Sequence, residues 1–470
     1  MTEDFEQWED QEMKDLIRRF EGMLGYQDHY FFDSEDYEEI IDFYFERDNQ
    51  RKAGDAIDHA LHQYPMHVGF LIRKAQLLDI SGKLEEAMMI IDKAEEIDQN
   101  NLDIILTKAT YLSRLRQPEK SIEYFKAALL QAENPEEIYA QIAFEYENLG
   151  NYHKALENLK NSLDINPGND SVLYELSFCY EVTHQLDKGI RFYEQFLDKN
   201  PYSKTAWFCL GVLCNTNGLF EKAIEAYDFV LAIDETFSSA YFNKANSFAN
   251  LGLYLKAIEC YRETLQYEEP EAMTYFYIGE CYEELEEYDK AAEQYLEAIG
   301  LDESFGDAYM AAGNAFDMLE DKTRAESYMK KAVELEPQNP TFLFQYGDLL
   351  YEYDKKKAGI EMLEKAATID AYDEEIWELL AWMYSQDDQL EEAVKILNTA
   401  MLQLPENALF PYHMAACLWM LGKTRESYTY LEDALVRNYS KHSYLFDFFP
   451  ELKKNNDLIA IIEQYRPEGK

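Results

Sequence analysis

Three histidines, His59, His62 and His67, are the only ones close enough together to suggest a shared metal. Their pattern, H-x-x-H-x-x-x-x-H, crosses a helix boundary at Pro65, so the three do not share one helical face. Six cysteines, Cys179, Cys209, Cys214, Cys260, Cys281 and Cys417, are scattered, with no C-x-x-C and no histidine at ligand spacing. They read as small core hydrophobes. The chain holds no G-x-x-x-x-G-K-[ST], G-x-G-x-x-G, H-E-x-x-H or G-x-S-x-G, and its carboxylates are too numerous to single out an acid–base pair. No metal, no cofactor and no catalysis are therefore expected. What remains is recognition chemistry: rings that recur, Phe208, Phe242 and Phe276 at intervals of 34 residues, with carboxamides and carboxylates spaced among them.

Charge narrows the partners. Asp and Glu total 92 against 43 Lys and Arg, a formal balance of −49, and the first 50 residues carry 17 acids against 4 bases. A field of that sign repels phosphate backbones and anionic lipid heads, both of which depend on Lys and Arg for neutralisation. Nucleic acid and membrane are excluded as expected partners. The start, MTEDFEQWEDQEM, lacks the basic and apolar run of a signal peptide, and no stretch of about 18 apolar residues occurs. A soluble, cytoplasmic protein is expected. At 470 residues the chain is too long for one compact core.

The elements that must position such groups show themselves as a register. TAWFCLGVLCNTNGLFEKAIEAYDFVLAIDE is followed 34 residues later by SAYFNKANSFANLGLYLKAIECYRETLQYEE. With Lys204 as position 1, position 20 runs Ala53, Ala87, Ser121, Ala155, Gly189, Ala223, Ala257, Ala291, Ala325, Gly359, Ala393, Ser427, all small. Position 8 is equally small from Ala75 through Gly211, Gly279 and Gly347 to Ala415, with Ile41 the exception, and position 24 is always bulky, as in Tyr193, Tyr227, Tyr261 and Tyr295.

Bulky residues at 4, 7 and 11, and again at 24, fall on helical faces, so each unit should hold two amphipathic helices. Small residues at 8 and 20 let the two axes approach. Gly82, Gly150, Gly218, Gly252 and Gly422 at position 15 mark where the first helix ends and the chain reverses. Pro65, Pro167, Pro201, Pro337 and Pro405 at position 32 close the second.

The frame W/Y-x-x-L/I-G/A-x-x-Y, then A, F/Y, A and P, resembles the tetratricopeptide repeat over residues 34–441. The resemblance implies an all-α fold, a right-handed superhelical solenoid of about twelve 34-residue helix-turn-helix repeats with terminal capping helices. The units would be 34–67, 68–101, 102–135, 136–169, 170–203, 204–237, 238–271, 272–305, 306–339, 340–373, 374–407 and 408–441. Residues 1–33 would form an acidic segment with a capping helix, its apolar face Met13, Leu16, Ile17, Phe20 and Leu24, or alternatively a dimer contact or a segment folded back into the groove. Residues 442–470 would cap the other end through Leu445, Phe448, Phe449, Leu458, Ile461 and Ile462. Lys74, Lys108 and Lys244 at position 7, Pro411 at 4 and Phe196 at 27 depart from the frame and imply snorkelled lysines and local repacking.

In that family the first helix of each unit lines the inner side, near positions 2, 5, 6, 9, 12 and 13. The resemblance then implies a peptide-binding groove. Its aromatic residues are Phe144, Tyr174, Phe178, Phe208, Phe242, Phe276, Phe344 and Trp382, with Met310 and Tyr412 in the same register. Asn243, Asn246, Asn250 and Asn314 add carboxamides able to pair a peptide backbone, and Glu280, Glu283 and Asp348 add negative charge. Packing against the neighbouring unit is the plain alternative for the rings, and it would be exposed by a loss of helicity or melting temperature on truncating Phe242 and Phe276.

The implied function is a non-catalytic scaffold holding a protein or peptide that bears Lys or Arg, with charge raising association rate and selectivity. A carboxylate-clamp co-chaperone is disfavoured, since only Arg73 and Arg114 are basic at the inner positions. An assembly chaperone for a basic client and a regulatory subunit of an enzyme complex are the competing readings.

Overall fold

The computed structural model describes residues 2–26 and 30–467, all helix and connecting turn with no strand among them. The expected end segments contain residues 1, 27–29 and 468–470, which lie outside the described residues. The chain divides into two compact units, Met1–Glu235 and Thr236–Lys470. Each is a stack of helical pairs.

Helices of about equal length alternate: Ser34–Glu46 with Gln50–Gln63, Pro135–Asn148 with Tyr152–Ile165, Ala272–Glu284 with Tyr288–Leu301, Glu374–Gln386 with Leu390–Gln403. The hairpin between partners has one backbone cause. Every 34th residue from Asp48 to Gly422 has positive φ. Gly82, Gly150, Gly218, Gly252 and Gly422 adopt it without strain, while Asp48, Arg116, His184, Glu286, Glu320, Asp354 and Asp388 adopt it with a Cβ. The following N–H reaches back five residues, Lys83 to the Leu78 carbonyl and Leu253 to the Phe248 carbonyl, both at 2.9 Å, which closes the first helix with a Schellman bond. The second helices end at Gln63, Ile165, Lys199, Leu335 and Gln403, each two residues before its proline.

Close approach within a pair follows from the small residues. A Cβ on Gly211 would stand 2.5 Å from the Tyr227 ring, one on Gly279 2.5 Å from the Tyr295 ring, and one on Gly359 2.5 Å from the Gly347 carbonyl oxygen. Tyr193, Tyr227, Tyr261 and Tyr295 are fully buried between partners. Three of their hydroxyls bond to the first helix, Tyr193 donating to the Leu173 carbonyl at 2.5 Å, Tyr261 to Asn246 Oδ1 at 2.5 Å and Tyr295 to Glu283 Oε2 at 2.6 Å, while the buried Tyr227 hydroxyl has no hydrogen-bond partner among the described residues.

Both ends are covered. Leu16, Ile17 and Phe20 of Thr2–Tyr26 bury against Tyr37, Ile40, Ile41 and Tyr44, with the Phe20 ring edge-on to Phe32 and Tyr37, whereas Leu24 stays exposed. At the other end Leu445, Phe448, Phe449, Leu458 and Ile462 bury, and Ile461 partly so. The expected capping helices there are only partly α-helical: Tyr439–Phe446 and Pro450–Lys454 are 3-10 segments before the α-helix Asn456–Gln464. Pro450 and the helix-initiating Asn455, whose side chain caps the N–H groups of Asp457 and Leu458, interrupt a continuous helix.

The departures from the frame have local solutions. Lys108 lies over the Tyr124 ring and pairs with Asp92 at 2.7 Å and Glu95 at 2.6 Å, and Lys74 pairs with Asp58 at 2.9 Å. Five cysteines are buried and Cys260 is half-buried, none of them in a disulfide. Among the described residues no group of three or more His, Cys, Asp or Glu is placed to hold a metal, and no helix is long and apolar enough to cross a membrane.

Candidate functional site

In the first unit the expected groove residues stand on three consecutive first helices: Phe144 on Pro135–Asn148, Tyr174 and Phe178 on Asp170–Val182, Phe208 on Lys204–Thr216. Phe144, Tyr174 and Phe178 are 51%, 40% and 47% exposed, large fractions for aromatic rings. Phe208 is half-buried, edge-on to Tyr174 at 6.2 Å and tilted against Tyr227 at 5.9 Å.

Carboxylates absent from the sequence reading accompany these rings. Glu147 accepts from the Cys179 thiol at 3.3 Å, burial raises its carboxyl above the usual range, and the adjoining Glu175 raises it further. Burial likewise raises Glu181, which the Thr216 hydroxyl approaches at 3.5 Å. Glu147 and Glu181 occupy position 12 and Glu175 position 6 of the register. The signal was available, since Glu283 was selected from that same position 12.

In the second unit the rings are more covered. Phe242 is half-buried between Tyr261 at 5.5 Å and Tyr277 at 5.7 Å, and Phe276 between Tyr295 at 5.6 Å and Phe305 at 5.1 Å. Phe344 and Trp382 are half-buried against the last core, Trp382 at 5.6 Å from Tyr351. Position 5 does not always face outward: Met310 and Tyr412 are core, the latter donating its hydroxyl to the Asn438 carbonyl at 2.8 Å. What the adjoining helix or end segment covers decides the exposure of this position.

The carboxamides are partly committed. Asn243 and Asn250 each donate one amide proton to their own helix, to the Ser239 and Asn246 carbonyls at 2.8 Å, and Asn246 Oδ1 accepts from the Tyr261 hydroxyl at 2.5 Å. The acceptor oxygens and second amide protons of Asn243 and Asn250 are what a ligand would meet. Asn314 is half-buried. Burial, with neighbouring carboxylates behind it, raises Glu280 (Glu283, Asp307, Glu284) and Asp348 (Glu352, Asp317). Ionised side by side, these groups repel one another and favour a cation.

Two tetratricopeptide-repeat models match the sequence, one over residues 182–236 and 242–304, the other over 68–101, 136–169 and 306–339. The chain is a tetratricopeptide-repeat protein. It is similar to the crystal structure of MamA, at 22% identity over 34% of this chain and 95% of that one, with a TM-score of 0.33. It is also similar to YrrB, a TPR protein with an unusual peptide-binding site, at 19% identity over 39% of this chain and 94% of that one, TM-score 0.34. A tetratricopeptide repeat protein from Parabacteroides merdae matches at 18% identity over 52% of this chain and 97% of that one, TM-score 0.40. No curated protein matches the chain. Repeats of this family build protein-interaction scaffolds, and this chain is one of that kind.

Two further features mark which of these first-helix positions are open. Arg73 pairs with Asp42 at 2.6 Å and Arg114 with Asp79, so both cations at the expected groove positions are neutralised by carboxylates one unit earlier. At the other end the chain covers its own last repeats. Phe448 stacks at 4.1 Å on His413, its carbonyl accepts from Gln386 Nε2 at 3.0 Å, and Asp447 and Lys441 act on Glu378. Glu378, Gln386 and His413 hold positions 5, 13 and 6 of the register. The end segment thus lies across the helices Glu374–Gln386 and Phe410–Met420.

Proposed function

We propose that this tetratricopeptide-repeat protein is a non-catalytic scaffold that captures a Lys- or Arg-bearing protein segment on the inner-face positions of its first helices. The observation that carries the reading is the set of exposed rings Phe144, Tyr174 and Phe178 beside carboxylates raised by their surroundings. Exposed aromatics supply contact area at low entropic cost, and the carboxylates select positive charge. In the second unit Phe242, Phe276, Phe344 and Trp382 form the floor of such a face, and Glu280, Glu283 and Asp348 supply its charge. The partner is a protein or peptide.

The test moves to the rings that are open. A fluorescein-labelled pool of random dodecapeptides rich in Lys and Arg is titrated with wild type and with Phe144→Ala/Phe178→Ala. Truncating two interface aromatics weakens capture by about tenfold or more, each ring being worth over about 1 kcal/mol. Melting temperature stays within about 2 °C, since half-exposed rings contribute little to the core. Unchanged affinity, or an acidic pool that binds as well as the basic one, overturns the reading.

A further inference from the structure

We infer that the cavity between the helices Pro135–Asn148 and Asp170–Val182 is a slot for one arginine or lysine side chain of the captured segment, with Phe144 as its wall and Glu147 and Glu175 as its counter-charges. The inference rests on the function proposed above and adds where, and by which groups, the cation is read.

The cavity measures about 310 Å³ and is bounded by Gln141, Phe144 and Glu147 from one helix, Val172 and Glu175 from the next, and Leu159 beneath. That is the lower end of the range of ligand pockets, the scale of a side chain. Phe144 leaves half its surface to solvent at the mouth. Glu147 and Glu175 adjoin one another across the two helices. The ion pairs of this unit, Lys108 to Asp92 and Glu95 or Lys204 to Asp234 among them, leave Glu147 and Glu175 out. Among the described residues the two carboxylates are therefore in no ion pair, beside an open ring.

Charge complementarity names the occupant. An anionic segment would add to the repulsion between Glu147 and Glu175, and a neutral one would leave it. No group of three ligand-type residues stands here among the described residues to hold a metal. A guanidinium or ammonium relieves both carboxylates at once. The planar guanidinium can also fork onto a carboxylate while lying on the Phe144 face.

The slot has a pH signature. The carboxyl of Glu147 is raised in the free chain, chiefly by burial; the Cys179 thiol lowers it, Glu175 raises it, and Glu137 also lines the cavity. A bound cation favours the ionised form and lowers it again. Affinity for a cationic side chain therefore rises with pH through the raised range above the ordinary Glu value of about 4.3, and binding there releases a proton.

The experiment compares labelled dodecapeptide pools identical except that arginine is replaced by citrulline, which keeps the shape and removes the charge. Wild type binds the arginine pool about tenfold tighter than the citrulline pool, and the ratio grows from pH 5 to pH 7. In Glu147→Gln/Glu175→Gln the ratio falls to about threefold or less and loses its pH dependence. The single variant Glu175→Gln, at an exposed position, moves the ratio in the same direction without touching the core. An arginine preference that survives both variants overturns the slot and leaves peptide capture standing. Failure of every pool to bind wild type overturns the capture reading and the slot together.

Discussion

At the scale of single residues, His413 behaves in a way no spacing argument selected. It is fully buried, neither ring nitrogen has a hydrogen-bond partner, and the ring stacks on Phe448 with Tyr444 edge-on and Glu378 Oε1 3.9 Å away. Burial pushes its pKa down to about 3 from the ordinary 6.5. The folded state refuses a proton that the unfolded chain accepts, so stability falls as pH drops below about 6.5 and goes on falling toward pH 3. Between pH 7 and pH 5 the linkage amounts to about 2 kcal/mol, an upper value because Glu378 would partly offset a charged ring. His413→Phe keeps the stack and removes the proton. Its urea midpoint should therefore hold between pH 7 and pH 5 while that of wild type drops, and parallel drops in both would show that His413 is not the cause. The site residues teach a related lesson. Tyr174 and Met310 share position 5 of the register, yet one is open and the other core, because exposure depends on which neighbour lies over it.

At the scale of the helical pair, the sequence spoke most clearly through side-chain size. Small residues at 8 and 20 against bulky ones at 24 told where two helices meet, and Gly279 against Tyr295 shows the contact they permit. Prolines told where second helices stop. The left-handed turns at Glu286, Glu320 and Asp354 were illegible because only glycine advertises that conformation, and the 3-10 end segment was illegible because apolar spacing alone does not separate it from an α-helix. Two alanine substitutions separate the two roles of glycine. A Cβ on Gly252 meets nothing within 4 Å, and φ is +71°, so Gly252→Ala should cost about 1 kcal/mol from backbone strain alone. Gly359→Ala forces a Cβ onto the Gly347 carbonyl and should cost about 1–3 kcal/mol by prising the pair apart. Chemical denaturation of both variants checks this. A stabilised Gly252→Ala, as generic helix propensity would give, contradicts the account.

At the scale of the molecule, a formal charge of −49 is distributed over helices of which Pro135–Asn148 and Asp170–Val182 carry open rings beside carboxylates raised by burial. On the function proposed above, long-range attraction brings basic segments to every face of such a chain, and only short-range contact with rings and paired acids gives them a place to stay. The claim is therefore one of location. It is tested most directly by site-specific photo-crosslinking, with p-benzoylphenylalanine placed either at Phe178, on an inner position, or at Phe229, a ring 52% exposed on a second helix. Each protein is irradiated with the same arginine-rich dodecapeptide pool at physiological salt. The account predicts a saturable peptide adduct at position 178 that unlabelled pool competes away, and little at position 229. Equal adducts at both positions, or adduct only at 229, would contradict it.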